Sequence, residues 1–135
     1  MSRGEVQGIL VSHGKMAEGL LDAVREISGL TEGLVTLDNL GLTPDALEER
    51  LEHLTRGGPS VVFVDLPSGS CAFVARRLRA RKANVAVVCG VNLPLLLDFV
   101  FHRTLPLSDI VTRLRSHIGV SIEHATDGDT AVPDR

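Results

Sequence analysis

The stretch Ser60–Val61–Val62–Phe63–Val64–Asp65 decides the fold. Four consecutive apolar positions, three of them β-branched, make a strand, and an unbroken apolar run means that both of its faces are covered. Double coverage is the mark of a parallel sheet, whose strands are joined by crossovers long enough to hold a helix. Working outward, the same pattern recurs upstream at Val6–Ser12 and downstream at Asn84–Cys89, with a shorter run at Leu34–Leu37.

The segments between these runs read as helices. After His13 and Gly14, residues Met16, Leu20, Val24 and Ile27 fall on one helical face, and Gly29 closes the helix. Thr43–Pro44–Asp45 supplies an N-cap, a first-turn proline and a first-turn acid for a helix striped by Leu47, Leu51 and Leu54, which Gly57–Gly58–Pro59 ends. Ala72–Lys82 predicts a helix that is basic on its exposed side. Leu93–Arg103 predicts another, and Leu107, Ile110, Val111, Leu114 and Ile118 outline the last. Val120–Glu123 is expected to form a short final strand. Strand and helix alternate through four rounds, so the fold class is α/β: a doubly wound, mainly parallel sheet of order 2-1-3-4 with helices on both faces. One domain is expected over residues 1–124, followed by a flexible polar tail at 125–135.

Composition removes several classes of function. The chain of 135 residues is 44% apolar and 23% charged, with a formal charge of −3, four Phe and neither Trp nor Tyr. Without a basic field or aromatic stacking platforms, nucleic acid is not an expected partner. No run approaches the ~20 apolar residues of a membrane span, and Val6–Val11 is too short for a signal peptide's apolar core, so the expected location is cytoplasmic. Cys71 and Cys89 lack CxxC spacing and read as reduced structural thiols, and no cluster with metal-ligand spacing is visible.

In a doubly wound sheet, ligands bind beyond the carboxyl ends of the strands, where strand order reverses. Three segments end there: Ser12–His13–Gly14; Asp65 through Ser68, Gly69 and Ser70; and Gly90–Val91–Asn92. Imidazole is a good nucleophile toward phosphorus at neutral pH. A carboxylate such as Asp65 could fix its tautomer, and the helix start after Gly69, with the Ser70 hydroxyl, suits phosphate. Phosphoryl transfer needs little beyond such positioning. Each residue also has a plainer reading. His13 could be structural, Asp65 could cap a turn, and Ser70 and Asn92 could cap helices. His53, His102, His117 and His124 read as surface or packing residues. The basic cluster Arg76, Arg77, Arg79, Arg81 and Lys82 reads as a solvated face, with an acidic docking partner as the weaker alternative.

Three segments carry a resemblance. Gly8–Ile9–Leu10–Val11–Ser12–His13–Gly14, with Ala17–Glu18–Gly19–Leu20–Leu21 after it, resembles the start of mannose-type enzyme IIA domains of the bacterial phosphoenolpyruvate:sugar phosphotransferase system. Val64–Asp65 with Ser68–Gly69–Ser70 is similar to the family's Asp and Gly-Gly-Ser-Pro turn. Gly90–Val91–Asn92–Leu93–Pro94 is similar to its third segment. The three occur in the family's order, within residues 5–123.

The resemblance implies a phosphocarrier: His13 as phosphoryl acceptor, Asp65 as its orienting carboxylate and Ser70 as a hydroxyl near the phosphoryl group. Ser12, Gly14, Ser68, Gly69, Cys71 and Asn92 become candidate phosphoryl-binding positions, with no cofactor or metal. It further implies HPr as donor, a histidine of a IIB domain as acceptor, and a homodimer that exchanges a C-terminal strand around Val120–Glu123. Pro67, Ser68 and Cys71 depart from the family's turn and bear on loop shape and partner choice. The alternatives are a dihydroxyacetone-kinase-type phosphotransfer subunit, a regulatory module whose phosphorylation state selects a partner, and a serine hydrolase acting through Ser70. The last lacks the Gly-x-Ser-x-Gly elbow.

Overall fold

The computed structural model describes residues 5–125. In chain order its elements are β1 (Gln7–Ser12), α1 (Met16–Ser28), β2 (Leu34–Asp38), α2 (Pro44–Leu54), β3 (Ser60–Val64), α3 (Ser70–Arg81), β4 (Val85–Cys89), α4 (Leu93–Val100) and α5 (Leu107–Arg115). The four strands are parallel and lie in the expected order β2-β1-β3-β4.

Alternation along the two central strands divides the core into two layers. Leu10, Val61 and Phe63 face α1, α4 and α5, where Phe63 meets Phe99 edge-on with ring centroids 5.2 Å apart. Ile9, Val11, Val62 and Val64 face α2 and α3, meeting Leu47, Leu51, Val74 and Leu78. Consecutive residues of β3 are thus buried on opposite sides, which is why its sequence is continuously apolar. Burying a side chain of this size contributes about 1.5–3 kcal/mol, so β1 and β3 form a stiff frame for whatever stands at their ends.

The helix punctuation acts as its chemistry requires. Gly29 closes α1 in the left-handed conformation, Thr43 accepts the Ala46 amide at the start of α2 (3.1 Å), and Asn92 accepts the Leu95 amide at the start of α4 (2.9 Å).

Four expectations are corrected. The α1 stripe rotates off the sheet at both ends: Ala17 and Val24 are buried, whereas Met16 and Ile27 are exposed. Residues four apart overshoot a full helical turn by about 40°, so such a stripe spirals away from a flat surface. Helix α4 stops at Val100 rather than Arg103, because the chain turns back onto the start of β1: Arg103 accepts the Val6 amide and returns a hydrogen bond from Nε to the Val6 carbonyl (2.8 Å). The basic face of α3 is only partly solvated. Arg77 and Arg81 both bind Glu48 of α2, and Arg77 also reaches Asp45 at 2.9 Å. Lastly, Val120–Glu123 pairs with no strand among the described residues and is exposed, and Ile118 lies beyond α5, exposed as well. Most of the expected tail, 126–135, lies outside the described residues.

Candidate functional site

The sheet order reverses between β1 and β3, which run outward to β2 on one side and β4 on the other. Register pairs Val11 with Val64, so the two chains leave the sheet side by side, His13 following Ser12 on one and Asp65 following Val64 on the other.

One carboxylate oxygen makes both contacts to the histidine. Asp65 Oδ2 accepts the His13 main-chain amide at 2.9 Å and lies 2.8 Å from the ring Nδ1. A carboxylate has no proton to give, so Nδ1 carries the hydrogen, and in the neutral ring Nε2 keeps its lone pair. Nε2 has no hydrogen-bond partner among the described residues, and the His13 side chain is 54% exposed against 8% for Asp65. Burial pushes the Asp65 carboxyl up, but the His13 amide, its ring hydrogen bond and its charge together outweigh this and hold the group below its usual range. Asp65 Oδ1 is buried and has no hydrogen-bond partner among the described residues, so the hydrogen bonds that reach this carboxylate both come from His13.

The loop after Asp65 delivers the start of α3 to the same edge. Gly69 is its N-cap at φ 97°, a left-handed conformation that favours glycine, and no side chain caps the helix. The first turn contains no acid, and Ser68, Gly69 and Ser70 are all exposed. Unpaired amides and the positive end of the helix dipole therefore face solvent, as an anion site requires. Gly14, also at positive φ, stands in open space beside His13.

Three other candidates are engaged elsewhere. Ser12 is buried and its Oγ accepts the Ala17 amide (2.8 Å), bracing the start of α1. Cys71 is buried, and its sulfur accepts from Asn39 Nδ2 at 3.1 Å. Burial and the Asp65 charge push its thiol up, hydrogen bonds from Asn39 and Ser70 offsetting only part of this. Asn92 Oδ1 is occupied in capping α4. Ser70 makes no hydrogen bond to a histidine among the described residues, so the nucleophile–base pair of a serine hydrolase does not form.

Two residues that sequence reasoning did not place here join the site's surroundings. Asn39, just past β2, reaches Cys71; Arg76, on α3, binds the Pro67 carbonyl at 2.7 Å. Nothing in the sequence separates Arg76 from the arginines around it, because only the crossover geometry shows which of them turns toward the loop.

The family model for the PTS system fructose IIA component, of the mannose-type EIIA kind, matches residues 8–113, a span that includes all three strand-end segments. The chain belongs to this family. It is thus a IIA domain of the sugar phosphotransferase system, a phosphotransferase component with a phosphocarrier role. Among curated proteins, none matches it by sequence.

Solved structures share the fold of this IIA domain. EIIA from Streptococcus agalactiae superposes with a TM-score of 0.75 at 24% identity, over 82% of this chain and 90% of that one. The mannose/sorbose-specific IIA subunit from Enterococcus faecalis gives 0.71 at 21% identity, over 90% and 99%. The IIA protein associated with the fucose utilization operon of Streptococcus pneumoniae gives 0.73 at 23% identity, over 89% and 96%. Among the described residues of this IIA domain, no helix is long and apolar enough to cross a membrane.

Proposed function

We propose that this IIA domain accepts a phosphoryl group on His13 Nε2 from phosphorylated HPr in the cytoplasm and passes it to a histidine of a IIB domain. One observation carries the reading: Asp65 Oδ2 engages Nδ1 at 2.8 Å and leaves Nε2 without a partner among the described residues. The Nε2 lone pair attacks phosphorus in line with the donor's P–N bond. That bond breaks, its electron pair returns to the donor ring, and the donor, which carries a hydrogen on its other ring nitrogen, leaves as neutral imidazole. His13 then carries the phosphoryl group on Nε2 and the hydrogen on Nδ1, as a cationic ring paired with the Asp65 carboxylate. The exposed amides at Gly69 and Ser70, with the Ser70 hydroxyl, suit the phosphoryl oxygens. Transfer to the IIB histidine is the same step reversed, with that histidine as nucleophile.

The working form we propose is a homodimer. β4 is an edge strand, and the groove beside it, about 700 Å³, is lined by β4, α5 and the segment His117–Gly119. From within that segment onward, Ile118, Val120 and Ile122 stand at every second position and are about four-fifths exposed. An alternating apolar segment and an open strand edge suit one another, which supports exchange of this segment between two copies.

The test is transfer of phosphate from phosphoenolpyruvate through enzyme I and HPr onto wild-type protein and His13→Ala. The expected result is one acid-labile, alkali-stable phosphoryl group on the wild type and none on the variant. An unlabelled wild type beside fully phosphorylated HPr would overturn the reading.

A further inference from the structure

The loop between β3 and α3 is held from two turns inside the helix. Arg76 Nη1 donates to the Pro67 carbonyl at 2.7 Å, and Nη2 lies 3.4 Å from Cys89 Sγ at the end of β4. One guanidinium therefore ties together the loop, its own helix and the neighbouring strand. Pro67 stands midway between Asp65, which orients His13, and Gly69, which opens α3. The clamped carbonyl is thus the midpoint of the link between the carboxylate and the amides that would meet a phosphoryl group.

Arg76 differs from its neighbours in how its charge is spent. Arg77 and Arg81 are paired with carboxylates of α2. Arg76 has no carboxylate partner among the described residues, and its acceptors are the Pro67 carbonyl and the Cys89 sulfur. It is also the residue that steadies a turn in which Pro67 and Ser68 replace the residues of the family pattern. A planar fork with two separated donors can bridge two acceptors in fixed geometry, which the single ammonium of lysine cannot reproduce.

We propose that Arg76 is a positioning residue for phosphoryl transfer: through the Pro67 carbonyl it sets where the Gly69 and Ser70 amides stand at the sheet edge they share with His13. The inference rests on the phosphocarrier reading above. Misplacing donors by a fraction of an ångström slows the chemical step more than it weakens docking.

The experiment compares wild type, Arg76→Gln and Arg76→Lys, with thermal melting as a check on folding. Transfer from phosphorylated HPr is followed by rapid quench, and the Gly69 and Ser70 amides by ¹H–¹⁵N spectra. Arg76→Gln is expected to lower kcat about tenfold with KM within about twofold, and Arg76→Lys to fall nearly as far. Both amide signals are expected to move in each variant. A wild-type kcat in Arg76→Gln, a loss confined to KM, or full rescue by lysine would each overturn the proposal. Should the wild type accept no phosphoryl group, the phosphocarrier reading fails by itself. Unchanged Gly69 and Ser70 signals in Arg76→Gln would then still overturn the positioning role.

Discussion

Asp65 Oδ2 holds His13 at two points, its main-chain amide at 2.9 Å and its ring Nδ1 at 2.8 Å. The two contacts fix both where the backbone leaves β1 and how the ring is turned about that backbone. Because β1 and β3 are buried neighbours in register, the carboxylate is delivered to this position by the sheet and not by a mobile loop. The imidazole is pre-oriented before any partner arrives, so little reorganisation remains for the transfer step.

Asp65→Asn preserves the shape of that contact and removes its charge. In the proposed transfer, the cationic ring formed when Nε2 takes a phosphoryl group would lose its counter-charge, and the amide can present either an acceptor or a donor to Nδ1. Phosphorylation of His13 is expected to slow about a hundredfold, the scale of losing one aligned electrostatic partner. Quench-flow labelling measures it; a rate within twofold of wild type would show that the ring needs no carboxylate.

Acid should destabilise the protein through three partly or fully buried carboxylates. Burial pushes Asp65 up, but the contacts from His13 outweigh it. Burial likewise pushes Asp98 up, and the Arg113 hydrogen bond and charge, with smaller help from His102 and His117, outweigh that. The Arg81 hydrogen bond lowers Glu48, aided by Arg77 against its burial. Each folded-state value lies below the unfolded one of about 4, so the folded state binds fewer protons. Their stabilisation is complete above about pH 5 and is lost as the pH falls through the depressed values. Urea midpoints between pH 7 and pH 3 should decline below about pH 4; a flat profile would contradict the assignment.

Glu48 ties α2 to α3. Its carboxylate, mostly buried, receives Arg77 and receives Arg81 through Nε (3.1 Å) and Nη2 (2.8 Å). Glu48→Ala removes these charge-assisted bonds and leaves two arginines facing each other, at an expected cost of about 1–3 kcal/mol. The melting temperature should fall by several degrees, while His13 labelling below that transition stays at the wild-type rate. Slowed labelling in a folded variant would mean that this network reaches the site.

The proposed exchange of Val120–Glu123 can be tested by charge. Val120→Asp with Ile122→Asp places carboxylates where an apolar strand would enter the partner's groove. Wild type is expected to sediment as a dimer and the double variant as a monomer that still labels on His13. A monomeric wild type, or a variant that dimerises normally, would exclude strand exchange at this edge.

Much of the candidate site's placement was legible in the order of residues along the chain. His13, Asp65 and Gly69 each follow or open an element that hydrophobic periodicity defines, and a parallel sheet gathers its strand ends along one edge. The side-chain assignments were less legible. Ser12, Cys71 and Asn92 stand at the right edge, but Ser12 braces α1, Cys71 is buried against Asn39, and Asn92 caps α4. Edge position follows from sequence order, whereas the direction in which a hydroxyl or thiol is used depends on the nearest unsatisfied amide.

The sequence by itself determined the alternation of strands and helices, the doubly covered β3 and the placement of His13 and Asp65 at strand ends, because hydrophobic period and turn chemistry act over a few residues. Tertiary structure alone decided which nitrogen of His13 is engaged, that Arg76 clamps Pro67 while Arg77 and Arg81 serve Glu48, and that Val120–Glu123 finds no strand partner within the described residues. Those outcomes depend on distances between segments that are remote along the chain. Only the closing of the sheet and the crossing of α2 over α3 set those distances.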